Sequence, residues 1–105
     1  MGKGVIVVYR PKKGKDQQLI QLVKDHVSIL RAQKLASERS PIIMKAADGS
    51  IIEIFEWKSA EAITQAHHNK TVLELWEKFS QVCDYETPAN VKEFQRVFSE
   101  FEVID

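Results

Sequence analysis

The chain has 105 residues, 44% hydrophobic and 29% charged, and its 15 basic side chains balance 15 acidic ones to a formal net charge of zero. That length allows one domain, residues 1–105, burying roughly 65% of its unfolded surface, and that composition excludes a disordered or fibrous chain. Zero net charge removes the basic surplus that displaces counterions from nucleic acid, and it leaves self-association unopposed by long-range repulsion.

The N-terminal stretch "MGKGVIVVYRPKKGK" holds an apolar run too short for a secretory leader. No segment approaches the roughly 20 apolar residues that span a bilayer, and Ile6 stands where N-myristoylation asks for Ser or Thr. Cys83 is the single cysteine, so no intramolecular disulfide forms. These features predict a cytoplasmic protein without a membrane partner.

In chain order, "GVIVVYRP" is rich in β-branched and aromatic residues and closes at Pro11, which predicts a strand. Its side chains are apolar at every position from Val5 to Tyr9, a pattern expected of a strand covered on both faces. After the turn "KKGK" the period changes. Leu19, Ile20, Val23, Val27 and Leu30 recur at helical spacing, with Asp16 as the expected N-cap and His26 on or beside the apolar stripe.

"SPIIMKAADGSIIEIFEWKS" predicts a hairpin, with strands near residues 38–47 and 50–57 and a type I′ turn at Asp48-Gly49. On its second strand Ile51, Glu53, Phe55 and Trp57 share one face, and Ile52, Ile54 and Glu56 the other. A second helical segment opens at Ser59, falters at "HHNKT" and resumes through Val72, Leu73, Trp76, Phe79, Val82 and Cys83. "DYETPAN" reads as a break around Pro88. Val91, Phe94, Val97 and Phe98 read as one or two amphipathic turns, and the alternation in "FSEFEVID" predicts the fourth strand.

The order β-α-β-β-α-β is the ferredoxin-like arrangement, an α+β fold with two main helices on one face of an antiparallel sheet. The bare face would expose apolar residues of the first and third strands, and a second copy of the sheet is the simplest cover. The expectation is a homodimeric α+β barrel.

The run "IFEWKSAEAITQAHHNKTVLELWEKFSQV", the opening "VIVVYRPKKGKDQQLIQLVKDH" and the closing "EFQRVFSEFEVI" resemble the antibiotic biosynthesis monooxygenase-like proteins of the dimeric α+β barrel superfamily. In that group a strand ends in an aromatic followed by Trp-x-Ser-x-x-Ala, and a histidine follows about one helix later. The resemblance specifies fold better than chemistry, since the superfamily holds oxygenases, other enzymes and proteins of no known activity. Its haem-degrading members use an asparagine, a tryptophan and an iron-ligating histidine; the matching positions here fall near Val8 or Tyr9, Ala66 and Trp76, and all three are replaced. Quinol-oxidising members work without metal or flavin, the substrate itself reducing dioxygen. The resemblance therefore implies a cofactor-independent monooxygenase acting on a small aromatic or quinol substrate. The alternatives are a non-catalytic ligand-binding or stress-related dimer, and a haem-binding member with altered ligation.

His67 matches the family histidine to within one position and lies four residues after Ile63, on the apolar side, so it is the expected base. Adjacent His67 and His68 point about 100° apart on a helix and cannot share a metal, and no metal site is expected. His26 reads either as a second group facing the same cavity or as a structural histidine bonded to a carbonyl. Glu53 and Glu56 read either as ligand-facing bases or as partners of cations such as Arg10 or Lys45, because a lone buried carboxylate is costly. Tyr9, Phe55, Trp57, Trp76 and Phe79 read as core that could also wall a slot for a flat aromatic ligand. Cys83, in an apolar run without a basic neighbour, reads as an inert thiol.

Overall fold

The computed structural model describes residues 1–105. Four strands and three helices follow in the order β1 (Lys3–Pro11), α1 (Asp16–Ala32), β2 (Ile42–Lys45), β3 (Ile51–Trp57), α2 (Ala60–Ala66), α3 (Lys70–Val82) and β4 (Cys83–Glu86). Two short 3₁₀ turns at Pro88–Asn90 and Lys92–Gln95 lead to a two-residue strand β5 (Glu102–Val103). The antiparallel sheet has the order β4-β1-β3-β2-β5, which is the ferredoxin-like order with one strand added at the β2 edge.

Register decides which side chains meet the helices. Val5 pairs with Phe55, Val7 with Glu53 and Tyr9 with Ile51, so these residues and Trp57 share the face under α1 and α3. On α1 the buried stripe is Leu19, Val23, His26, Val27 and Leu30, and on α3 it is Val72, Leu75, Phe79 and Val82. Between α2 and α3 the chain breaks at "HHN", as the pattern predicts, because Asn69 accepts a hydrogen bond from the Val72 amide at 3.0 Å and restarts the helix.

Several local expectations are corrected. Asp16 is the first residue of α1 rather than its cap; Lys15 occupies the cap position with no side-chain bond, and Asp16 instead faces the positive end of the helix dipole. β2 is four residues long, not ten, because Pro41 and the Ser37–Arg39 turn lift the chain off the β3 edge after the isolated bridge Ala36–Trp57. The hairpin does not turn through type I′ geometry. Gly49 alone of the Asp48-Gly49 pair has positive φ, 93°, and the loop Ala47–Gly49 is closed by Ala46 N–H donating to the Ser50 carbonyl at 2.9 Å. This is a three-residue hairpin loop with glycine in the left-handed position.

The largest correction concerns the last strands. "CDYE", whose cysteine was expected to end the helix and whose remaining residues were expected to open the break, forms β4 against β1, pairing Tyr85 with Tyr9, while the tail expected as the fourth strand contributes only the two residues of β5. Val97 and Phe98 are not packed at all, being 96% and 82% exposed.

The second face of the sheet is covered in part by the chain itself. Val91, Phe94 and Phe101 pack over Val8, Met44, Ala46 and Ile52. In the neighbouring row Ile6–Ile54–Ile42, aligned across β1, β3 and β2, Ile54 is half-buried against that cluster while Ile6 and Ile42 stay at the surface, 48% and 47% exposed. No helix is long and apolar enough to cross a membrane.

Candidate active site

Glu53 is fully buried at the centre of β3, among apolar neighbours. A carboxylate there requires partners, and two elements supply them. Tyr9 on β1 donates its hydroxyl to Oε1 at 2.6 Å, and His26 on α1 sets Nδ1 at 2.9 Å from Oε1 and 3.0 Å from Oε2. The cations considered from sequence are elsewhere: Arg10 pairs with Asp48 at 3.1 Å and Glu86 at 3.6 Å, on the other face, and Lys45 is exposed.

Hydrogen positions follow from these distances. Burial above all, then the charge and hydrogen bond of Glu53, push the Tyr9 phenol well above its ordinary value of 10.0, so it remains a donor. Nδ1 is nearly equidistant from both oxygens of Glu53, the geometry of one N–H shared by an ionised carboxylate; a carboxylic acid would hold its proton on one oxygen and favour it. In the tautomer that satisfies an ionised Glu53, Nδ1 donates to it and Nε2 is the ring nitrogen left free to accept. Nε2 is buried and has no hydrogen-bond partner. Such an atom costs about 1–3 kcal/mol, and His26, with Tyr9, brings the buried network to the wall of a cavity.

That cavity, about 310 Å³, lies between the sheet and the helices. Its volume is at the small end of ligand pockets. Tyr9, Phe55, Trp57, Trp76 and Phe79, the five aromatics named from sequence, all line it, with Val5 and Val7 completing the floor. Tyr9 stacks on Phe79 with centroids 5.2 Å apart and planes 15° from parallel. The His26 ring meets Phe55 and Phe79 edge-on at 5.2 and 5.3 Å. No lysine or arginine is among the lining residues.

Tyr85 of β4 also lines the cavity, and the sequence reading did not include it. It is 56% exposed and tilts over Tyr9 at 5.6 Å, which places it at the mouth. Burial first, then Cys83 and the Glu53 charge, raise its phenol to about 12. The signal was the alternation in "CDYE", which turns Cys83 and Tyr85 to one face.

Two expected site residues are not at this cavity. His67 is exposed, closes α2 as its C-cap and lays its ring edge-on against Trp76 at 5.1 Å. The inward position at that turn is taken by Ala66, the last helical residue and fully buried. Glu56 projects to the opposite face of the sheet, where Arg39 holds it at 3.1 Å. His68 is exposed, and nowhere do three His, Cys, Asp or Glu side chains gather as a metal would require. Burial, followed by the Asp84 charge, pushes the Cys83 thiol up to about 11, and it donates to the Phe79 carbonyl at 3.2 Å.

No family model matches the chain, and none of the curated proteins is significantly similar to it in sequence. Among solved structures, that of Rv0793 from Mycobacterium tuberculosis superposes with a TM-score of 0.64 over 82% of this chain and 89% of that one, at 17% identity. The likeness shows a shared fold, the α+β ferredoxin-like sheet with its helices on one face.

Proposed function

We propose that this protein is a cofactor-independent monooxygenase acting on a small aromatic or quinol substrate held between sheet and helices. The observation that carries this reading is the His26–Glu53 pair, whose unpartnered Nε2 belongs to a residue lining an otherwise aromatic and aliphatic cavity. Glu53 fixes the ring and stabilises the imidazolium that forms when Nε2 takes a phenolic proton. The phenolate is then the reductant: dioxygen gives one atom to the ring and the other leaves as water. His26 takes over the role of base assigned from sequence to His67, and Glu53 supports it.

The resemblance to antibiotic biosynthesis monooxygenase-like proteins supports the reading, and so does the aromatic wall, which suits a flat ring. Oxygen uptake with a panel of hydroquinones and naphthohydroquinones tests it. Wild-type protein is expected to consume oxygen above the substrate blank, with His26→Ala and Glu53→Gln each lowering the rate by about 100-fold or more. Uptake equal to the blank across the panel would remove the proposal.

A second reading, a non-catalytic ligand-binding dimer, is favoured by the burial of Nε2, which has almost no exposed surface. Binding of naphthols without turnover, followed by tryptophan fluorescence of Trp57 and Trp76, would select it.

The same proposal includes a homodimer in the cytoplasm. Exposed Ile6 and Ile42, flanking half-buried Ile54, and the unpacked Val97 and Phe98 are apolar surface of the kind that a second copy would cover. Light scattering at micromolar concentration is expected to give the mass of two chains, and Ile6→Lys to halve it.

A further inference from the structure

Resting on the same His26 base, we propose that the cavity also removes protons from carbon without dioxygen, acting on flat, uncharged bicyclic carbon acids whose conjugate bases spread their own charge. The reaction class is elimination or tautomerisation, with no change in total oxidation state.

The base is placed for the slower of two kinds of proton transfer. A phenol exchanges its proton with water readily, whereas a C–H bond yields only to a base held in line with it. A carboxylate-oriented imidazole in a largely apolar site therefore matters most for carbon acids. Glu53 and the Nδ1 hydrogen hold the ring in one orientation, and Phe55 and Phe79 pack its edges on two sides.

The walls define the substrate. Eight of the nine lining residues are hydrophobic, and no cationic side chain is present to hold an anion. A substrate that arrives charged meets an uncompensated desolvation cost. One that becomes an anion must delocalise that charge into its own conjugated system, as nitro-, cyano- or keto-conjugated rings do. A cavity of about 310 Å³ admits a bicycle lying against Trp57 or Trp76.

The step balances without a second reactant. Nε2 takes the proton, and the electron pair of the C–H bond becomes a new π bond. In 5-nitrobenzisoxazole that bond completes a nitrile as the ring N–O bond breaks, and its electron pair stays on oxygen as a coloured nitrophenolate. The imidazolium, held against Glu53, returns its proton to solvent.

The test is the release of that phenolate from 5-nitrobenzisoxazole by the whole protein under argon. The second-order rate constant is expected to exceed that of free imidazole at the same pH by about 100-fold or more. Deuterium at the reacting carbon should slow it, and His26→Gln should abolish the excess. Because that variant could fail to fold, Val5→Phe, which fills the cavity floor opposite Phe55 rather than opposite Glu53, is measured beside it and is expected to lose the reaction too. A wild-type rate no greater than imidazole, or a rate kept in either folded variant, would overturn the proposal. Turnover under argon by a protein that takes up no oxygen with hydroquinones would sustain this inference and remove the oxygenase reading. The opposite pair of results would remove this inference alone.

Discussion

Glu53 sets the character of the molecule at the scale of single residues. Its carboxylate is held by a phenol and an imidazole rather than by a guanidinium or ammonium, so the centre of the sheet carries a hydrogen-bonded network in place of a Lys or Arg ion pair. Tyr9→Phe removes one donor and leaves Oε1 buried with the imidazole alone. The expected cost is about 1–3 kcal/mol, read from urea unfolding. Both members of the dyad were visible in sequence as anomalies, an acid among bulky strand residues and a histidine on an apolar helical stripe. Their contact was not, since it joins positions 27 apart through the docking of α1 on β3. His67 misled because the buried stripe of α2 runs through Ala62 and Ala66; His67, one residue on, lies about 100° off that stripe and faces outward.

Among the elements, caps and turns were less legible than the periodic segments: Asp16 is not the cap of α1, and Asp48-Gly49 does not form a type I′ turn. Asn69 holds the start of α3 against the adjoining break, so Asn69→Ala should lower stability by about 1 kcal/mol, seen as a lower midpoint in thermal unfolding. Gly49→Ala forces an L side chain to φ 93° and should cost about 1–2 kcal/mol by the same measurement. β1, α1, β3 and α3 were readable because long periodic runs average out local exceptions. β4 was not, because "CDYE" is four residues beside a proline signal, and only the unpaired edge of β1 turns it into a strand. The tail "FSEFEVID" shows the reverse. It alternates well, yet the edge it might extend is four residues long, and just two of its own pair there.

At the scale of the whole molecule, protonation and folding are coupled on the alkaline side. Cys83 rises from 9.0 to about 11 and Tyr85 from 10.0 to about 12 on folding, and Tyr9 moves in the same direction. In each case the folded chain keeps a proton that the unfolded chain releases. These groups therefore contribute stability that is complete below pH 9 and lost as pH rises through 9 to 12. The denaturation midpoint should fall steadily over that window, and Tyr85→Phe should flatten the decline; a midpoint independent of pH from 9 to 11 would contradict the assignment.

The cavity draws Tyr9, His26, Phe55, Phe79 and Tyr85 from five separate elements, β1, α1, β3, α3 and β4. A partly assembled chain thus has nowhere for a guest molecule to lodge. Occupancy becomes a reporter of complete folding: any compound that saturates the slot at 100 times its dissociation constant should add about 2.7 kcal/mol to unfolding in a single cooperative step. Screening small aromatics by melting temperature then finds ligands without knowing the reaction in advance.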